Sequence, residues 1–177
     1  MSIILVDSFS ETNADAYNGM YGGWYIKRAQ SFTAKAGNLS SCKFYLKKAG
    51  SPTGNAVAIL YAHSGTYGAS SVPTGAALAT SNNFGVSTLT TSNQLIEFTF
   101  TGAQQYAMIN GTYYCITCEY SGGDSSNLIY VASDVSSPTH GGNAAEYLSS
   151  WAALSGHDNC FYVYATIADG SFLLNFI

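Results

Sequence analysis

The chain has 177 residues, carries a formal net charge of −4, and combines only 9% charged residues with 14 Tyr, 9 Phe and 2 Trp. That length suits one domain with its own core, and the aromatic content excludes disorder, which needs few aromatics and a high net charge. All six basic residues (Lys27, Arg28, Lys35, Lys43, Lys47, Lys48) precede position 49, a distribution that argues against the counterion-displacing patches of nucleic-acid binding.

In chain order, residues 2–6 read as a first strand. The surrounding MSIILVDSFSE lacks the basic leader and the roughly 7–15 residue apolar core of a secretory signal, so synthesis without export is expected. Ala14–Met20 has the spacing of one helical turn. Residues 24–33 form a weaker strand candidate. In SCKFYLKK, Cys42, Phe44 and Leu46 alternate with Lys43 and Lys47, the pattern of a half-buried strand. NAVAILYAH is apolar on both faces and suits a central strand. A weaker candidate covers 76–81. In QLIEFTFT, Ile96, Phe98 and Phe100 share a face opposite Glu97, Thr99 and Thr101. Ala103–Met108 is a second candidate for one helical turn, and Asn110-Gly111 predicts a two-residue hairpin turn. TYYCITCEY alternates with Tyr114, Ile116, Cys118 and Tyr120 on one face. Residues 127–133 and 144–149 are weaker strands, NCFYVYAT is strong, and 171–176 is weak.

Ten or so strands at this spacing predict an all-β antiparallel sandwich, and longer crossing connections point to its jelly-roll variant. Residues 1–166 form one domain, and 167–177 an apolar strand or tail packed on its own or a neighbouring subunit. No segment approaches the about 18–20 apolar residues of a membrane-spanning helix, so no membrane partner is expected. Cys115 and Cys118 form C-x-x-C, but three residues apart on a strand they point to opposite faces. Buried free thiols are expected for all four cysteines.

Several phrases together resemble a known group: AQSFTA (29–34), L-x-x-C-K-F-Y-L-K-K-A-G-S-P-T-G-N (39–55), P-T-G-A-A-L-A-T-S (73–81), F-T-F-T-G (98–102), N-G-T-Y-Y (110–114) and D-N-C-F-Y-V-Y (158–164). They are similar to jelly-roll modules of the choice-of-anchor R type and related bacterial surface and phage structural proteins. The resemblance implies a jelly-roll fold and a structural or adhesive role. With no export signal read, it favours a virion component over a wall-anchored one.

Catalytic chemistry is not legible. No nucleophile elbow occurs, the acids are scattered singly, and His63, His140 and His157 have ordinary strand-end or loop readings, although His140 with His157-Asp158 would form a metal site if their loops met. A structural calcium is the ion that loop carboxylates such as Asp124, Asp134 and Asp158 would hold; no other cofactor is expected. YNGMYGGWY (17–25) has three readings. Tyr17, Tyr21 and Trp24 form an aromatic platform for a sugar; Met20 and its neighbours form a protomer contact; or Trp24 and Ile26 begin a strand that points inward, the reading the sequence favours. Tyr147 and Trp151 invite the same three. The apolar run Phe172, Leu173, Leu174, Phe176 and Ile177 is a further interface candidate. These observations lead to a non-catalytic structural or adhesive component of a homo-oligomeric assembly, most plainly a virion decoration or tail-associated protein. The alternative is a carbohydrate-binding module acting outside a cell or at its surface.

Overall fold

A strand with one apolar face must bury it, and two such sheets face to face are the economical solution. The computed structural model describes residues 1–169. The strand expected over 171–176, with Phe172, Leu173, Leu174, Phe176 and Ile177, lies outside the described residues. Among the described residues fifteen strands follow one another: β1 (Ser2–Phe9), β2 (Ala16–Met20), β3 (Lys27–Thr33), β4 (Gly37–Ala49), β5 (Asn55–Ser64), β6 (Val72–Thr80), β7 (Phe84–Gly85), β8 (Gln94–Thr99), β9 (Ala107–Met108), β10 (Tyr113–Glu119), β11 (Leu128–Asp134), β12 (Ala144–Tyr147), β13 (Trp151–Leu154), β14 (Asp158–Asn159) and β15 (Phe161–Ile167). The number exceeds the expected ten because short pieces such as β7, β9 and β14 pair beside longer strands.

The first sheet runs β1-β15-β4-β11-β14, with β2 on β11 and β8 and β9 along the other edge of β4. The second runs β13-β12-β3-β10-β5-β6, with β7 on β5. Every ladder is antiparallel. Cys42, Phe44 and Leu46 of β4 and Tyr114, Ile116 and Cys118 of β10 project into the shared core with Phe98, Phe161 and Val163, as alternation requires. Phe44 meets Phe98 edge-on at 6.3 Å. Cys115 points the other way and is free, as are Cys42, Cys118 and Cys160; burial pushes the Cys115 thiol up to about 12.

NAVAILYAH is β5, an interior strand between β10 and β6. Its second apolar face is covered because the second sheet curls over its outer side. β13 comes beside β6 although no ladder joins them, and Trp151 meets Tyr61 edge-on at 6.5 Å. Small side chains on the outer face of β3, β10 and β12 (Ala29, Ser31, Cys115, Thr117, Ala145) are consequently buried.

Three local expectations fail for tertiary reasons. Asn110-Gly111 does form a turn, with the Thr112 N–H donating to the Ile109 carbonyl at 3.1 Å and Gly111 at φ 75°, but it joins no hairpin. β9 pairs with β4 and β10 with β3 and β5, so the turn carries the chain between sheets. Ala16–Met20 is a strand, because the free edge of β11 offers it a ladder. The second helical-turn candidate, Ala103–Met108, overlaps only the end of a 3-10 turn over Gly102–Gln104, and Ala107–Met108 is strand β9.

Candidate functional site

Where β3 begins, the loop before it cannot extend into a strand. Gly23 has φ 86°, the Trp24 N–H closes back on the Tyr21 carbonyl at 3.1 Å, and the Gly22 N–H donates to the Gly122 carbonyl at 2.8 Å. A side chain at Gly22 would press on the Ser121 carbonyl at 2.9 Å, so two loops lie flat against each other there. This turn corrects the expectation that Trp24 points inward: it is 46% exposed. Its ring lies parallel to that of Tyr21, with 12° between planes and centroids 6.4 Å apart. Tyr25 buttresses it edge-on at 5.1 Å.

The second aromatic pair arrives at the same end of the sandwich. Tyr147 and Trp151 are register partners across the β12–β13 hairpin and meet edge-on at 5.3 Å. The Ile26 N–H donates to the Tyr147 carbonyl at 3.1 Å, tying the Trp24 loop to this hairpin. Beneath the rings, Lys27 pairs with Glu119 at 2.8 Å, its register partner on β10. The ammonium stands 5.3 Å from the Tyr147 centroid and 5.9 Å from that of Tyr61. Glu119 also accepts from the Tyr61 hydroxyl at 3.0 Å and the Thr117 hydroxyl at 3.1 Å. Burial opposes the Lys27 charge, but Glu119 holds its pKa above the ordinary lysine value. Burial first, then Glu119, pushes the Tyr61 hydroxyl up. Beside this pair opens a cleft of about 280 Å³, lined by Ile26, Lys27, Asn55, Val57, Glu119 and Ser121.

Other expected site residues sit elsewhere. Tyr17 lies on the outer face of the first sheet, 3.6 Å beneath the Lys47 ammonium, its hydroxyl accepting from Asn93. Met20 is fully buried in the core opposite Ile129, so it is no protomer contact. The carboxylates expected to hold calcium are spent on their own surroundings. Asp124 accepts from Ser126, Asn127 and the Asn127 amide. Asp134 caps Ser136 and Ser137. Asp158 accepts from Gln30 and the His140 N–H. The loops bearing His140 and Asp158 do meet, yet His140 Nδ1 accepts from the Gly142 N–H at 3.0 Å. Among the described residues, no three His, Cys, Asp or Glu side chains are grouped to hold a metal.

Sequence reasoning missed Tyr61, Lys27 and Glu119. Alternation places Glu119 on the polar face of TYYCITCEY, but its partner is set by register across 92 residues of chain, which no local pattern carries. His63 was also unremarkable in sequence; it meets the Ser71 hydroxyl at 2.9 Å, but Ser71 is buried under Asn143. Compared with known proteins, the chain matches no family model and no curated protein.

Proposed function

We propose that this protein is a non-catalytic adhesive module that binds carbohydrate through its aromatic end. The observation that carries the reading is the parallel Tyr21 and Trp24 pair, held outward by a glycine-clamped loop. Sugar rings present C–H faces that pack on such a surface, while their hydroxyls need fixed polar groups nearby. Lys27, Glu119 and Asn55 in the adjoining cleft supply donors and acceptors. Non-catalytic action is supported by His63, His140 and Asp158 being committed to internal hydrogen bonds. No cofactor enters the reading. Trp24→Ala should abolish oligosaccharide binding on a glycan array and leave thermal unfolding nearly unchanged, since an exposed substitution costs within about 0.5 kcal/mol. A wild-type protein that binds no oligosaccharide at millimolar concentration would overturn it.

A second reading, a structural component of a homo-oligomer such as a virion decoration or tail-associated protein, is favoured by a different surface. Ile3, Leu5, Tyr17 and Leu95 are all exposed on the outer face of the first sheet, apolar side chains that a protein partner would cover. The jelly-roll assignment and the likeness to phage structural modules belong to this reading, which is supported by the repeated crossing of the chain between sheets.

A further inference from the structure

A stacked ring pair also stands at the other end of β3, away from Trp24. Tyr113 opens β10 opposite Thr33, the last residue of β3. Tyr67, from the loop after β5, lies flat on it, with 7° between planes and centroids 4.0 Å apart. His63 meets both edge-on, 5.5 Å from Tyr113 and 6.1 Å from Tyr67. The pair is held from two sides. The Thr33 hydroxyl donates to the Tyr67 hydroxyl at 3.2 Å, and Gly68 sits so close to the Gly141 carbonyl that a Cβ there would approach it to 2.5 Å. Tyr67 covers one face of the Tyr113 ring, yet Tyr113 remains 43% exposed, so its open surface is the far face and the edge.

Beside Thr33 opens a cleft of about 420 Å³ whose polar walls are Asp7, Thr33, Lys35 and Asn110. Lys35 spends one N–H of its ammonium on the Leu5 carbonyl, at 2.9 Å, and has others to give. Asp7 accepts from the Thr33 and Ser8 N–H groups and faces His140, which leaves room for one further donor among the roughly four acceptor positions of a carboxylate. Asn110 is exposed, and its amide offers both a donor and an acceptor.

We propose that this cleft is a second binding site, for a single neutral sugar residue packed on Tyr113. The lining decides the class. An anion would meet the Asp7 carboxylate and a cation the Lys35 ammonium, whereas hydroxyls both donate and accept and so suit Lys35, Asp7 and Asn110 together; the sugar's C–H face suits the tyrosine. The two sites lie at opposite ends of the seven-residue β3, about 20 Å apart at roughly 3.3 Å per residue. A tyrosine face is smaller than that of Trp24, so the second site is the weaker one: it fills at millimolar sugar and does not hold a glycan on an array by itself. The inference rests on the carbohydrate reading for its ligand class but uses none of its residues.

Amide NMR shifts of the isotope-labelled full chain, titrated with glucose, galactose, mannose and N-acetylglucosamine to high millimolar concentration, test it. At least one sugar should move the amides of Lys35, Asn110 and Tyr113. Tyr113→Ala should remove the Lys35 and Asn110 shifts and leave those around Trp24 in place. Lys35→Met, which keeps the ring and serves should Tyr113→Ala not fold, should weaken them several-fold. If these amides stay still while those around Trp24 respond, the second site is overturned and the carbohydrate reading stands; if neither set responds, both fall. Shifts that persist unchanged in the variants also overturn the second site.

Discussion

Arg28 is 4% exposed on the core-facing side of β3, where a charge is costly unless paired. Glu146 is its register partner on β12 and meets it directly. The guanidinium also donates to the Gly19 carbonyl at 3.2 Å and lies 4.6 Å from the Tyr25 centroid. Burial pulls the Arg28 pKa down and Glu146 holds it up, so the pair shares one desolvation cost. Glu146→Leu should therefore lose about 3–5 kcal/mol by leaving a buried charge alone, whereas adding Arg28→Met should recover most of that. Urea unfolding of the two single variants and the double variant checks this; losses that simply add would show the two side chains to be uncoupled. The sequence displays both residues but not their meeting, because an aromatic neighbour and a partner 118 positions away are what hold the arginine inside. The same arginine fixes Tyr25, and through it the rim around Trp24, which explains why the platform was readable as residues and not as a surface.

Strands with strict alternation were legible: β4, β8, β10 and β15 follow the expected faces because a residue's side is fixed by parity alone. Elements decided by partners were not. β2 took its conformation from β11, the Asn110-Gly111 turn switched sheets, and the β12 candidate ended at Tyr147 where its hairpin turns. β1 shows how such elements are locked together. Asp7, just past its irregular register, accepts the Thr33 N–H of β3 at 3.1 Å and faces His140 Nε2 at 3.3 Å. Because His140 Nδ1 accepts from Gly142, its proton sits on Nε2 and points at Asp7. Burial works to raise the Asp7 pKa, but His140 and the amides of Thr33 and Ser8 outweigh it and hold the carboxyl below the ordinary value. The unfolded chain then binds more protons near the carboxylate range, so this contribution is present above that range and lost as pH falls through the folded value. Asp158, pushed up by burial, opposes it. Asp7→Asn should lower the melting temperature at neutral pH and flatten its decline on acidification. Parallel melting curves for both proteins between neutral and acid pH would refute the clamp.

At the scale of the molecule, fold class was written in composition and period, whereas the two surfaces depend on how the sheets bend. A stable protein interface buries about 800 Å² on each partner, which the outer face of the first sheet, with Ile3, Leu5, Tyr17 and Leu95 exposed, would have to offer a second copy. Under the oligomer reading, light scattering should give a mass above the monomer that persists on dilution, and Leu95→Glu with Tyr17→Glu should reduce it to the monomer; a monomeric wild-type protein would leave that face without a partner. The curled sheet has a different fate. With β13 drawn beside β6, parts of the two rims of that sheet meet each other, which leaves less of their backbone open to a stranger's strand. Strand templating has correspondingly less purchase on that layer than on the first sheet, where, among the described residues, β1 and β8 each have a single ladder partner.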